Sequence, residues 1–361
     1  MLSRSCEGRK VDRALLRTIV EQFVARTGYR QSDLQEFGRL AGGLIDLAEA
    51  EAVVDVAEAL CRHPETPREL IAKLFDLGGT CARIALEHAP DAPLAELTAY
   101  AEQGPTDFAA AIARRPDLSR DVVSALAARS ESAVLHALAA NRQAYLDPGA
   151  LRSLIQVARD DQGLARILLD REDLDVDPEP LFLAATPAER EKIILSACRS
   201  ALSSGAVESA ARPDQRLGSE LEALALSGDE GATISRMADA LDARKSRIRR
   251  IFLDEGGEAL ALALTALGIH PDVATRLFIC HRRAAGLDAK KMRALRALMT
   301  STPARAAARI VAAINGNRDP QRRVAGWREE ASASAGARRR PAIGLKASAE
   351  GRKSARLDQS A

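Results

Sequence analysis

An all-α chain is predicted by three observations. Apolar residues recur at helical spacing over most of the 361 residues, aromatics make up only 3%, and Pro64, Pro90 and Pro116 stand 26 residues apart. Alanine and leucine, which dominate with arginine, are strong helix formers, and the aromatic and β-branched clusters that strands favour are scarce. The spacing sets three segments in register: RHPETPRELIAKLFDLGGTCARIALE from Arg62, HAPDAPLAELTAYAEQGPTDFAAAIA from His88, and RRPDLSRDVVSALAARSESAVLHALA from Arg114. Ile71, Leu97 and Val123 share a column, as do Leu74, Tyr100 and Leu126; Ala85, Ala111 and Ala137; and Leu86, Ile112 and Leu138. A unit this short cannot bury its own apolar stripe. Neighbours must stack, and the expected fold is a right-handed-type α-solenoid of short helical hairpins with a disordered C-terminal tail.

The elements follow in order. Leu15, Leu16, Ile19, Val20, Phe23 and Val24 form a helical stripe that ends before Gly28. Ser32 and Asp33 offer N-caps for a second helix through Leu47, and a third from Ala50 to Arg62 stops at Pro64. Residues 1–62 thus read as an N-terminal helical cap. The 26-residue units occupy an array over 63–202, each with a helix beginning near Pro67, Pro93 or Ser119, a turn, and a shorter second helix. A fourth unit, stretched by YLDPG, has helices over 148–159 and 162–169, and a long helix over 187–202 closes the array. Residues 203–219, SSGAVESAARPDQRLGS, are small and polar and read as a linker. Helical pattern resumes in a C-terminal helical domain over 220–315, with segments 220–226, 231–241, 244–254, 258–267, 271–286, 290–300 and 303–314. Residues 316–361 are low in complexity, cannot bury enough surface to order themselves, and read as a disordered basic tail.

Charge is nearly balanced, with 52 basic and 50 acidic residues, so no whole-chain electrostatic partner is implied. Eleven basic and five acidic residues fall in 316–361, giving that tail +6 and the body −4. The five cysteines are scattered, which implies no disulfide framework and a reducing compartment. The longest apolar run, ALALALTALGI from Ala259, is too short to span a bilayer. Nothing at the N-terminus has the pattern of a signal peptide, so a cytoplasmic location is expected.

The segment ISRMADALDARKSRIRRIFLDEGGEALALALTALGIHPDVATRLF, from Ile234 to Phe278, follows the array and linker with a helix, a basic helix, a Gly-Gly turn and an apolar helix. In this order of blocks the chain resembles a family of uncharacterised bacterial proteins of alphaproteobacterial type, a domain of unknown function with HEAT-like helical repeats. The likeness covers most of residues 30 to 315 and is most specific at 234–278. It implies a fold and assigns no activity.

Two binding modes fit these patterns. In the first, a noncatalytic scaffold or adaptor binds another protein through an extended surface. Outward positions of the second helices vary on a constant frame: Thr80, Arg83 and Glu87 against Thr106, Asp107 and Ala110, and against Ser132, Leu135 and His136. The alternative is a nucleic-acid-binding regulator with a helix-turn-helix-like pair at 234–254. Ala238 lies in its first helix, Asp242 stands where the turn glycine would be, and Ile248 and Ile251 anchor the second helix. Arg244, Lys245, Arg247, Arg249 and Arg250 are then the candidate anion or partner contacts. No cofactor and no metal is expected: Cys61 with His63, Cys81 with His88, and Cys280 with His281 each offer two ligands without zinc-site spacing. No catalytic residue is expected either, because nucleophile-elbow, P-loop and dinucleotide motifs are absent from the sequence.

Overall fold

Stacked columns demand that equivalent helices lie against one another, and the computed structural model of the chain has them in two rows. It describes residues 2–90, 92, 94–203, 215–280 and 289–316, with side chains from Arg13 onward; among them no strand occurs. Helices α1 (Leu2–Val24), α2 (Gln31–Leu47) and α3 (Ala50–Arg62) lead into four hairpins. These are α4 (Arg68–Asp76) with α5 (Gly79–His88), α6 (Leu94–Gln103) with α7 (Thr106–Ala113), α8 (Arg120–Ala127) with α9 (Ser132–Ala140), and α10 (Pro148–Ala158) with α11 (Gln162–Leu169). In one row α1, α3, α5, α7, α9 and α11 pack each on the next. In the other, α2 packs on α4, and α6 on α8 and α8 on α10.

The aligned columns bury accordingly. Leu74, Ala85, Leu86, Ala111, Ile112, Leu126 and Leu138 are fully buried. The second helices are covered on more sides than the variable positions suggest. Ala110 and Leu135, expected to face outward, are buried, because α7 and α9 each lie between two row neighbours and their own first helices. Thr80, Thr106, Asp107 and Ser132 are exposed.

Helix starts follow local chemistry. Ser119 caps α8 through Val122 N–H, Asp147 caps α10 through Gly149 and Ala150, and Asp161 caps α11 through Leu164. The caps expected from Ser32 and Asp33 are corrected: α2 starts at Gln31, its N-cap is Arg30 without a side-chain bond, and Asp33 sits in the first turn.

A 3₁₀ helix, η1 (Glu179–Ala184), and α12 (Pro187–Ser203) lead to α13 (Gln215–Leu226), α14 (Glu230–Leu241), α15 (Lys245–Phe252), α16 (Glu258–Ala266), α17 (Pro271–Cys280), α18 (Ala289–Ser301) and α19 (Ala304–Asn315). The boundary expected at 202–203 does not divide the core. Leu181 belongs to the apolar core of the hairpins, whereas Phe182, Ile193, Ile194 and Ala197 share one core with Leu217 through Ile314. Thus η1 is the joint, and α12 packs with the C-terminal helices. The expected linker is shorter than read, since α13 begins at Gln215, and 204–214 lie outside the described residues. The helix expected to reach residue 286 ends at Cys280, with 281–288 outside the described residues.

α16 is apolar on every face and therefore central: Ala259 to Thr265 are all buried, against α15, α17, α18 and α19. Arg190 of α12 ties its entrance down. The guanidinium meets Asp254 Oδ1 and Glu258 Oε2, each at 2.8 Å, and lies over the Phe182 ring. A Cβ on Gly256 would stand 1.9 Å from Glu258 Oε2, so any side chain there would displace the ends of Glu258 and Arg190, and Gly257 takes φ 78° at the N-cap of α16. Gly316, at φ 76°, closes α19 and so belongs to that helix end; the rest of the expected tail, 317–361, lies outside the described residues.

Candidate functional site

The two rows are not equally closed. Where α6 and α8 pack together, α4 and α6 part, and a groove of about 800 Å³ opens between them. One wall is a single face of α4, presenting Arg68, Ile71, Phe75 and Asp76; the other carries Glu96 and Tyr100 of α6. Spacings of three, four and seven residues put Arg68, Ile71 and Phe75 over one stripe, with Asp76 beside it at the helix end. Ile71, Phe75 and Tyr100 are half-buried and form an apolar floor, while Asp76 and Glu96 are exposed at its edges. In the aligned columns Leu97, Val123 and Leu126 are buried. Ile71 and Tyr100 were read as packing residues of those columns; the one signal that set them apart is the lone tyrosine in a leucine column.

Helix ends along the rows are sealed by side chains that follow later in the chain. Arg115, 2% exposed, donates Nη1 to the Leu86 carbonyl at the end of α5 and forks onto Asp117. Arg171 does the same for Ala139 at the end of α9, forking onto Asp173. Asn141 donates to Ala113 and Arg115 carbonyls after α7, and Arg129 reaches Tyr100 and Ala101 at the end of α6. At the first joint His63 Nε2 lies 3.0 Å from the Arg26 carbonyl. His63, Arg115 and Asn141 stand 52 and 26 residues apart, in one column of the register.

The helix-turn-helix-like pair is present as α14 and α15, and Asp242 adopts the left-handed conformation (φ 50°, ψ 48°) that a turn glycine would take. Ile248 and Ile251 are fully buried, as that arrangement needs. The five cations do not form one free surface, which corrects the expectation for two of them. Arg247, 3% exposed, donates to the Ile314 carbonyl and to Asp160; Arg250 donates to the Arg159 and Asp160 carbonyls. They seal the C-termini of α19 and α10, whose dipoles favour a cation. Burial lowers the Arg247 pKa, and Asp160 opposes that shift. Arg244, Lys245 and Arg249 remain exposed. The cavity beside them, about 520 Å³, is lined by Asp239 and Asp242 as well as Arg244 and Arg247, a mixed set poorly matched to an anion.

No group of three or more His, Cys, Asp or Glu able to hold a metal occurs among the described residues. Among these residues no helix is long and apolar enough to cross a membrane.

The sequence model of an uncharacterised protein family conserved in bacteria (DUF2336) matches residues 81–197. The match spans α5 to most of α12. It therefore falls on the hairpins, and not on 234–278 where the sequence resemblance is most specific. No curated protein and no solved structure matches the chain.

Proposed function

We propose that the chain is a noncatalytic helical-repeat adaptor that binds another protein in the groove between α4 and α6. The observation that carries this is the groove between α4 and α6, with an apolar floor and polar edges, of a size suited to a peptide segment. The neighbour-to-neighbour packing supports a HEAT-like solenoid. Buried free thiols at Cys61 and Cys81 support the reducing cytoplasm of an alphaproteobacterial type of cell as its place of action.

The test is photo-cross-linking in the native cell with p-benzoylphenylalanine in place of Ile71, and in place of the exposed Leu226 as control. Discrete protein adducts at 71 and none at 226 are expected. No adduct at 71 in a folded chain overturns the adaptor reading.

Duplex DNA binding by α14–α15 is the second reading, favoured by the left-handed Asp242 turn. It now rests on Arg244, Lys245 and Arg249. Replacing these three with Ala should flatten the salt dependence of DNA affinity if they meet phosphates, and leave it unchanged if they do not.

A further inference from the structure

We infer that the segment held between α4 and α6 is basic: a stretch of a partner protein that sets a Lys or Arg beside an aliphatic side chain. This rests on the adaptor reading and adds the partner's chemistry.

Asp76, at the end of α4, and Glu96, in the first turn of α6, face the same groove, and neither makes an ion pair or hydrogen bond to a described residue. Some carboxylates of the array are answered within the chain, Asp117 by Arg115, Glu131 by Arg129, Asp173 by Arg171 and Glu87 by Arg114; Asp76 and Glu96 differ from the other unanswered ones in that they line one groove. The groove's own cations do not answer these two. Arg68 has an interaction of its own. His63 is engaged at both ring nitrogens, Nε2 with the Arg26 carbonyl and Nδ1 with the Glu65 N–H. Two open carboxylates therefore flank the floor of Ile71, Phe75 and Tyr100. A Lys or Arg fits both demands at once, since its methylene stem covers apolar surface while its charged end reaches a carboxylate. An acidic segment would meet repulsion at both edges. The Tyr100 hydroxyl, without a hydrogen-bond partner among the described residues, is free to meet the backbone of an extended segment.

The test uses the full chain, fluorescently labelled, on an array of eight-residue peptides with a central Leu flanked by Lys/Arg, by Ser, or by Glu. Binding to the basic set about fivefold or more above the Ser set is expected, falling as salt rises from 50 to 300 mM. The Asp76→Asn/Glu96→Gln double variant, whose melting should match the parent, should erase that preference while leaving Ser-flanked binding in place. Ile71→Arg should remove binding to all three sets. Equal binding to basic and acidic sets, or a preference that survives the double variant, overturns the inference. If cross-links at 71 persist in that case, the adaptor reading stands without it; cross-links confined to the same chain overturn both.

Discussion

Arg115 donates through Nη1 to the carbonyl of Leu86, 2.9 Å away and 29 residues earlier in the chain. The bond closes the C-terminus of a helix in one unit with a side chain from the next. Because the guanidinium is 2% exposed, it is held by this carbonyl and by Asp117 rather than by water.

Removing the seal should be costly. Arg115→Met leaves a buried carbonyl without a donor, and urea unfolding should show a loss of about 1–3 kcal/mol. Arg62→Ala, which only deletes the exposed pair with Glu58, should change stability by less than about 0.5 kcal/mol. Equal effects at the two sites would show that the seals contribute no more than surface charges.

Two glycines should respond in opposite directions. Gly256→Ala pushes a methyl against the ends of Arg190 and Glu258, which must shift, and should cost about 1 kcal/mol. Gly43→Ala, inside α2 with nothing within 4 Å of the added carbon, should stabilise by about 0.5–1 kcal/mol. Melting curves of the two variants decide the matter, and a tolerated Gly256→Ala would mean that the ion pair can move aside.

Asp161 should set part of the acid limit. Burial alone would raise its carboxyl, but bonds from Leu164 N–H, Ser132 Oγ and His136 Nε2 outweigh that and hold it down, from 3.8 to about 2. A depressed folded-state pKa gives stability that is full above 3.8 and is lost as pH falls toward about 2. Asp161→Asn should therefore be less stable than the parent at pH 7, and the difference should shrink across that window. A constant difference from neutral pH to pH 2 would place the stabilisation elsewhere.

Thiol accessibility should separate the cysteines. Burial pushes the Cys61 thiol up to about 12 and raises Cys81 and Cys198, but Cys198 and Cys280 are only partly buried whereas Cys61 and Cys81 are enclosed. In the native chain a disulfide reagent should modify Cys198 and Cys280 readily, and Cys61 and Cys81 only on unfolding. Rapid reaction at Cys61 would contradict the packing of α3 against α5.

The helices were legible in the sequence because their apolar stripes are local signals, reinforced at α8 and α10 by the Ser119 and Asp147 caps. The seals were legible in principle: His63, Arg115 and Asn141 put a polar residue in one column directly after a buried second helix. What lies beyond local signals was not. Arg247 and Arg250 look like a free basic face until Asp160, roughly 90 residues earlier, is brought beside them by tertiary packing. Leu135 looked exposed because a second helix with two row neighbours buries nearly all round. The groove depends on the spacing of α4 and α6, and apolar columns that read alike in sequence do not report how far apart their helices stand.

The seals also order events during synthesis. The Leu86 carbonyl waits 29 residues for Arg115, Ala113 waits 28 for Asn141, and Ala139 waits 32 for Arg171. A ribosome adding about 5–20 residues per second leaves each newly made helix open at its end for some seconds before its stopper emerges. Structure then hardens in one direction, one hairpin behind the exit tunnel, and a message cut short within the array yields a product whose last helix is never closed.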